Sequence, residues 1–126
     1  MDINQYSELA LRTAKSLGSQ VNDAMHAAAG MAGESGEVID IVKKSFAYGK
    51  TLDRDHLIEE IGDGLWYANL MIHTLGSSWE EVLSKNIAKL KARYPDGYND
   101  VDAVNRDVQA EQSAMTSVQT ELQLES

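Results

Sequence analysis

The sequence predicts an all-α protein, a bundle of four to five helices. Apolar residues recur at three- and four-residue spacing along most of the chain, and no stretch alternates apolar with polar residues in the manner of a strand. The 126 residues include one proline and few aromatics, which leaves long runs free to be helical. A chain of this length is one domain in size, enough for a single core.

Taken in order, residues 3–17 predict a first helix, with Tyr6, Leu9, Ala10, Thr13 and Leu17 on its apolar positions and Gly18 as the stop. A long second helix is expected from about Asn22 to Tyr48, ending at Gly49. Its Gly30, Gly33 and Gly36 each cost about 1 kcal/mol against alanine in a helix interior. Their spacing of three predicts the close approach of another helix or a ligand, or else a locally weakened helix. Asp53 or Thr51 caps a third helix over about 53–75, closed by Gly76. Ser77 and Ser78 before Trp79-Glu80-Glu81 resemble a capping box and open a fourth helix that reaches Arg93. Pro95-Asp96-Gly97 then makes a turn. Beyond it, Val101, Val104, Val108, Met115, Val118 and Leu122 fall on heptad a and d positions, with Glu111 and Glu125 on the remaining d positions. That pattern predicts a helix that pairs with something; a polar, partly disordered tail is the alternative. The expected organisation is a domain over residues 1–98 followed by an acidic helical extension over 99–126.

The charge is unevenly placed. Of the net −9, residues 1–95 hold 13 acids against 10 bases, whereas residues 96–126 hold 7 acids and one base. An acidic chain is a poor candidate for duplex nucleic acid, which needs basic surface. It is no argument against a nucleotide, because bound metal inverts the field of a site. The chain has no cysteine, which excludes disulfides and thiolate metal sites. No apolar run reaches the roughly 18–20 residues of a membrane span, and the N-terminus has no signal-peptide pattern.

Two acidic pairs carry the chemistry: Glu34-x-x-Glu37 and Glu60-x-x-Asp63. Residues three apart share a helix face, with Cβ atoms roughly 5–6 Å apart. On a helical wheel Glu34 borders the arc of Ala27, Met31, Val38 and Ile41, and Glu60 borders that of Leu57, Ile61 and Leu65; Glu37 and Asp63 stand further out. Four carboxylates on two packed helices repel one another unless cations lie between them. Oxygen-only ligation selects Mg²⁺ or Mn²⁺ before Zn²⁺. A di-iron bundle instead needs Glu-x-x-His on two helices. Asp23-x-x-His26 and Asp53-x-x-His56 are the nearest approach, and both histidines stand near helix starts. Lys89 and Arg93, four apart on the fourth helix, suit phosphate oxygens, or else form a solvated basic stripe with Lys85. Asn86 can reach a phosphate or sugar, and Tyr67, a turn past Asp63, a phosphate or ribose, unless it is a core tyrosine. Lys44 and Lys50 can close over phosphates or stay on the surface. His26, Phe46, Trp66 and Trp79 are candidates for stacking on a base, with core or interface packing as the plainer role.

Four stretches together resemble a known family. They are Ala27-Ala28-Ala29-Gly30-Met31-Ala32-Gly33-Glu34-Ser35-Gly36-Glu37-Val38, then Tyr48-Gly49-Lys50, then Glu59-Glu60-Ile61-Gly62-Asp63-Gly64-Leu65-Trp66-Tyr67, then the segment from Asn86 to Tyr98 with Tyr94-Pro95-Asp96-Gly97. They look like the MazG-like nucleoside triphosphate pyrophosphohydrolases of the all-α NTP pyrophosphatase superfamily, in the small single-domain form of bacteria and phages. The resemblance covers about residues 24–98. Gly64 departs from it, where a larger helix-forming residue is expected. The resemblance implies hydrolysis of a nucleoside triphosphate, a deoxynucleotide in particular, to the monophosphate and pyrophosphate by water attack at the α-phosphorus. It implies Mg²⁺, with Mn²⁺ as a substitute, on Glu34, Glu37, Glu60 and Asp63, and substrate contacts from Lys89, Arg93, Asn86, Tyr67 and Lys44. It also implies a homodimer or homotetramer in the cytoplasm of a bacterium or a phage-infected host. Two other readings remain from the residues: a nucleotide- and metal-binding regulator without turnover, and an acidic helical interaction protein that works through its tail.

Overall fold

The computed structural model describes residues 1–125. Among them are six helices and no strand: α1 Ile3–Leu11, α2 Gln20–Tyr48, α3 Arg54–Thr74, α4 Trp79–Arg93, α5 Asp100–Val104 and α6 Val108–Glu125. The expected all-α fold is present, with one helix more than expected because the tail is broken in two. The helices form two compact units, one over Met1–Gly76 and one from Ser77 on.

In the first unit, Asp2 caps α1 by accepting from the Asn4 and Gln5 amides at 2.9 Å, while Gln5 Oε1 accepts from the Asp2 amide at 2.9 Å. The helix stops at Leu11, six residues short of the expected Leu17. Local hydrogen bonds explain this. The Arg12, Thr13 and Ala14 amides turn to carbonyls three residues back, and the Thr13 hydroxyl donates to the Ala10 carbonyl at 2.7 Å. Further on, Asp23 of α2 takes the Leu17 amide at 2.5 Å and the Ser16 hydroxyl at 2.9 Å, which holds that segment as a loop. These hydrogen bonds keep the Asp23 carboxyl below its ordinary range.

Ser19 caps α2, and Gly49 closes it in the left-handed conformation (φ 63°) that glycine adopts without strain. Asp53 caps α3 by accepting from the His56 amide at 3.1 Å. The five-residue connection returns α3 antiparallel to α2. The Gln20 side-chain amide donates to the Thr74 carbonyl at one end, Gly30 faces Tyr67 in the middle, and Gly64 faces Glu34 nearer the connection. Gly30 is the close approach that the glycine spacing predicted: a Cβ there would lie 2.2 Å from the Tyr67 ring. Gly33 and Gly36 meet nothing within 4 Å, so no other helix of this chain makes that approach to them. Ala27 and Ile41 of α2 and Leu70 and Ile72 of α3 are the buried apolar residues of this unit. α1 is fastened to α3 by polar groups. The Trp66 indole N–H donates to the Thr13 hydroxyl at 2.8 Å and the Ala10 carbonyl at 3.3 Å, and buried Asn69 donates to the Ser7 carbonyl at 3.3 Å.

In the second unit, Ser78 Oγ accepts from the Glu81 amide at 3.1 Å and starts α4. Gly97 turns the chain at φ 94°, and Asn99 caps α5. The heptad does not run through the tail. Residues 105–107 leave the helix, and Asp107 restarts it by accepting from the Ala110 amide at 2.9 Å. Consequently Val101, Val104 and Val108 are exposed, while Met115, Val118 and Leu122 are half-buried. α6 runs antiparallel along α4, with Glu111 on Arg93 and Gln119 on Lys85.

Candidate metal centre

Antiparallel packing of α2 on α3 brings Glu34 beside Glu60 and Asp63. One carboxylate oxygen from each lies within 4.8 Å of the others. Glu60 is buried, Glu34 half-buried and Asp63 exposed, so the cluster reaches from the helix interface to solvent. Gly64 lies against Glu34, but a Cβ there would make only an ordinary contact with the Glu34 Cβ, at 3.9 Å.

The electrostatics are those of anions held together. Burial first, then a hydrogen bond to the Glu60 carboxyl and the charges of Asp63, Glu60 and Glu37, push the Glu34 carboxyl above its ordinary range. Partial relief comes from His56, whose Nε2 lies 3.0 Å from Glu60 Oε1. The clustered carboxylate oxygens, repelling one another, suit a hard divalent cation. Glu34, Glu60 and Asp63 can therefore hold a metal ion. Glu37 stands outside this group, exposed and one turn further along α2.

A cleft of about 360 Å³ opens beside the cluster, lined by Glu34, Asp63, Trp66 and Tyr67. Tyr67 is fixed in it by Gly30 beneath, by the edge of Trp66 at 5.0 Å and by His26 at 5.8 Å. Trp66 lines the cleft with its indole N–H already committed to α1, so it offers a ring and no donor. Lys44 is tied to Asp40 at 3.0 Å, and Asp40 also holds Lys43 at 2.6 Å. The two ammonium groups hold the Asp40 carboxyl down to about 2.

Asn86, Lys89 and Arg93 belong to the second unit. Asn86 is exposed and Lys89 half-buried. Arg93 donates from Nε and Nη2 to the two carboxylate oxygens of Glu111, at 2.9 and 2.8 Å. His56 and Tyr6 joined the site without being picked as site residues from the sequence. His56 had a visible signal, its position four residues before Glu60 on one helix face. Tyr6 had none: it comes from α1, far in sequence, and burial and the Asp63 charge push its phenol up.

An all-helical protein with clustered carboxylates on a helical hairpin is thus a candidate metal-binding protein. The family comparison narrows the class. The chain matches the MazG nucleotide pyrophosphohydrolase domain over residues 23–98, and it belongs to that family. Searches of curated proteins and of solved structures gave no match. The matched segment begins in α2 and ends before α5, so it contains both acidic pairs and Asn86, Lys89 and Arg93. Family membership implies nucleotide pyrophosphohydrolase activity in general.

Proposed function

We propose that this protein hydrolyses a nucleoside triphosphate, preferentially a deoxynucleotide, to the monophosphate and pyrophosphate. The observation that carries the reading is the convergence of Glu34, Glu60 and Asp63 within 4.8 Å, from two helices inside the family-matched segment. Glu37 is the fourth ligand, swinging in from its exposed position on α2. Mg²⁺, with Mn²⁺ as substitute, supplies charge neutralisation for the triphosphate oxygens when bound. Water attacks the α-phosphorus. The new bond joins water oxygen to phosphorus, the bond to the α–β bridging oxygen breaks, and that oxygen leaves with pyrophosphate. A carboxylate of the cluster takes the proton released by the water. Lys89, Arg93 and Asn86 bind phosphate oxygens, Lys44 closes over them, and Tyr67 positions the ribose or α-phosphate from the cleft wall.

Exposed apolar faces on α2 and on α3 support assembly. Val21, Met25, Ile39, Val42 and Phe46 fall on one side of α2, and Ile58, Ile61 and Leu65 on one side of α3, all exposed. A second copy of this chain covers them in a homodimer or homotetramer. No helix among the described residues is long and apolar enough to cross a membrane, which fits a cytoplasmic enzyme. The test is a panel of NTPs and dNTPs with Mg²⁺ or Mn²⁺, read by pyrophosphate release. Turnover of at least one, with Asp63→Asn and Glu37→Gln each slowing it by roughly 10²-fold or more, is expected. Release from none of them, by a folded and metal-loaded protein, overturns the reading.

A further inference from the structure

Arg93 is assigned to the triphosphate, yet its charge is already answered within the chain. Glu111 takes it side-on through both carboxylate oxygens, at 2.9 and 2.8 Å. This fork-to-fork arrangement is also how arginine binds phosphate. Glu111 is 2% exposed, and the same two oxygens accept from Arg106 Nε and Nη2 at 3.2 and 2.8 Å. A buried carboxylate thus stands between two guanidinium groups, in the place where an anionic ligand of Arg93 would sit.

The rest of α6 follows the same face of α4. Eight residues before Arg93, Lys85 donates to Gln119, eight residues after Glu111. Lys89 lies midway between the two contacts and is half-buried. The basic stripe Lys85-Lys89-Arg93 is therefore the face that α6 covers. Apolar packing holds α6 lightly. Glu111 is its one buried residue, Met115, Val118 and Leu122 are half-buried, Val108 and Leu124 are exposed, and a cleft of about 410 Å³ lined by Leu83, Ile87 and Val118 lies along the seam.

We infer that Glu111 is an internal competitor for phosphate at Arg93, so that α6 holds the protein in a low-affinity state until it leaves α4. This rests on the assignment of Lys89 and Arg93 to the triphosphate. A tethered carboxylate competes at an effective concentration on the order of millimolar. The apparent affinity for nucleotide falls by the fraction of molecules in which Arg93 is free. A triphosphate carries more charge than one carboxylate and displaces it at sufficient concentration.

The experiment measures KM and kcat for pyrophosphate release, with Mg²⁺ and the best substrate of the panel, in full-length variants. Glu111→Gln is expected to lower KM by roughly fivefold or more with kcat little changed. Because the chain has no cysteine, Lys85→Cys/Gln119→Cys provides the only thiol pair across the α4–α6 seam, closed by oxidation directly or through a short dithiol linker. Its oxidised form is expected to show a raised KM, restored by reductant. Unchanged KM in Glu111→Gln together with equal KM in the oxidised and reduced pair overturns the inference and leaves Glu111 as a brace. If Glu111→Gln does not fold, the disulfide pair decides alone, since it keeps Glu111. Arg93→Ala in the reduced background separates the two levels. A raised KM there upholds the substrate assignment whatever α6 does, and an unchanged KM removes the assignment and the inference together.

Discussion

At Gly30 a hydrogen in place of a methyl group decides whether α2 and α3 can close. Alanine there gains about 1 kcal/mol of helix propensity, but its Cβ would meet the Tyr67 ring at 2.2 Å. Tyr67 is boxed in by Trp66 and His26, so the ring has little room to yield. Gly30→Ala is expected to destabilise by about 1–3 kcal/mol in urea unfolding, as overpacking does. Gly33→Ala, with nothing within 4 Å, is expected to stabilise by about 0.5–1 kcal/mol in the same assay. Equal effects at the two positions would contradict the close approach. The acidic cluster gives a second prediction. The Glu34 carboxyl is raised by burial and its acidic neighbours. A raised carboxyl supports folding below its unfolded pKa, and that support is lost as pH rises through the folded value. The metal-free protein therefore carries the strain of the cluster at neutral pH. Mg²⁺ is expected to raise Tm at about pH 7.5 and much less near pH 4.5, where protons compete with it. Asp63→Asn reduces the gain at neutral pH. A wild-type Tm that ignores Mg²⁺ and Mn²⁺ at neutral pH counts against the site.

At the scale of the element, α6 owes its place to charge more than to apolar surface. Arg93 and Arg106 hold the Glu111 carboxyl far below the usual carboxylate range. A depressed carboxyl contributes stability that is present above its unfolded pKa, roughly 4.3, and lost only as pH falls through the folded value. Backbone amides of α6 are therefore expected to stay protected from hydrogen exchange at about pH 4. In Glu111→Gln the protection falls at neutral pH as well, because the pair of guanidinium groups loses its counter-charge. Wild-type protection in Glu111→Gln would show that Met115, Val118 and Leu122 suffice. The heptad pattern read from the sequence placed Glu111 at a d position without a reason for an acid there. Its reason lies in Arg93, 18 residues earlier.

For the whole molecule, the balance of core to exposed apolar surface is the main fact. The described residues bury five apolar side chains, Ala27, Ile41, Leu70, Ile72 and Trp79, while Phe46 is 90% exposed and Ile39 67%. Exposed apolar faces on both α2 and α3 are the mark of an interaction surface. Light scattering is expected to give a mass two or four times 13.9 kDa. Ile39→Asp/Phe46→Asp is expected to lower it with helix content retained. A monomer at micromolar concentration for the unchanged chain rules the assembly out.

The sequence by itself determined the all-α class, the starts of α2, α3 and α4 to within two residues, and the ends of α2 before Gly49 and of α4 at Arg93. Those features are set by capping side chains, glycine stops and a 3.6-residue period, all read within a few neighbouring residues. It also paired Glu34 with Glu37 and Glu60 with Asp63, because i,i+3 spacing is local geometry. Only the tertiary structure decided which of these acids meet. Glu34, Glu60 and Asp63 converge because α3 returns antiparallel to α2 in a register set by Gly30 against Tyr67. It likewise decided that Leu17 lies in a loop and not in α1, since Asp23 of α2 claims its amide. The partner of Arg93 was hidden for the same reason. An ion pair between residues on separate helices depends on how the helices pack, and no local period records it.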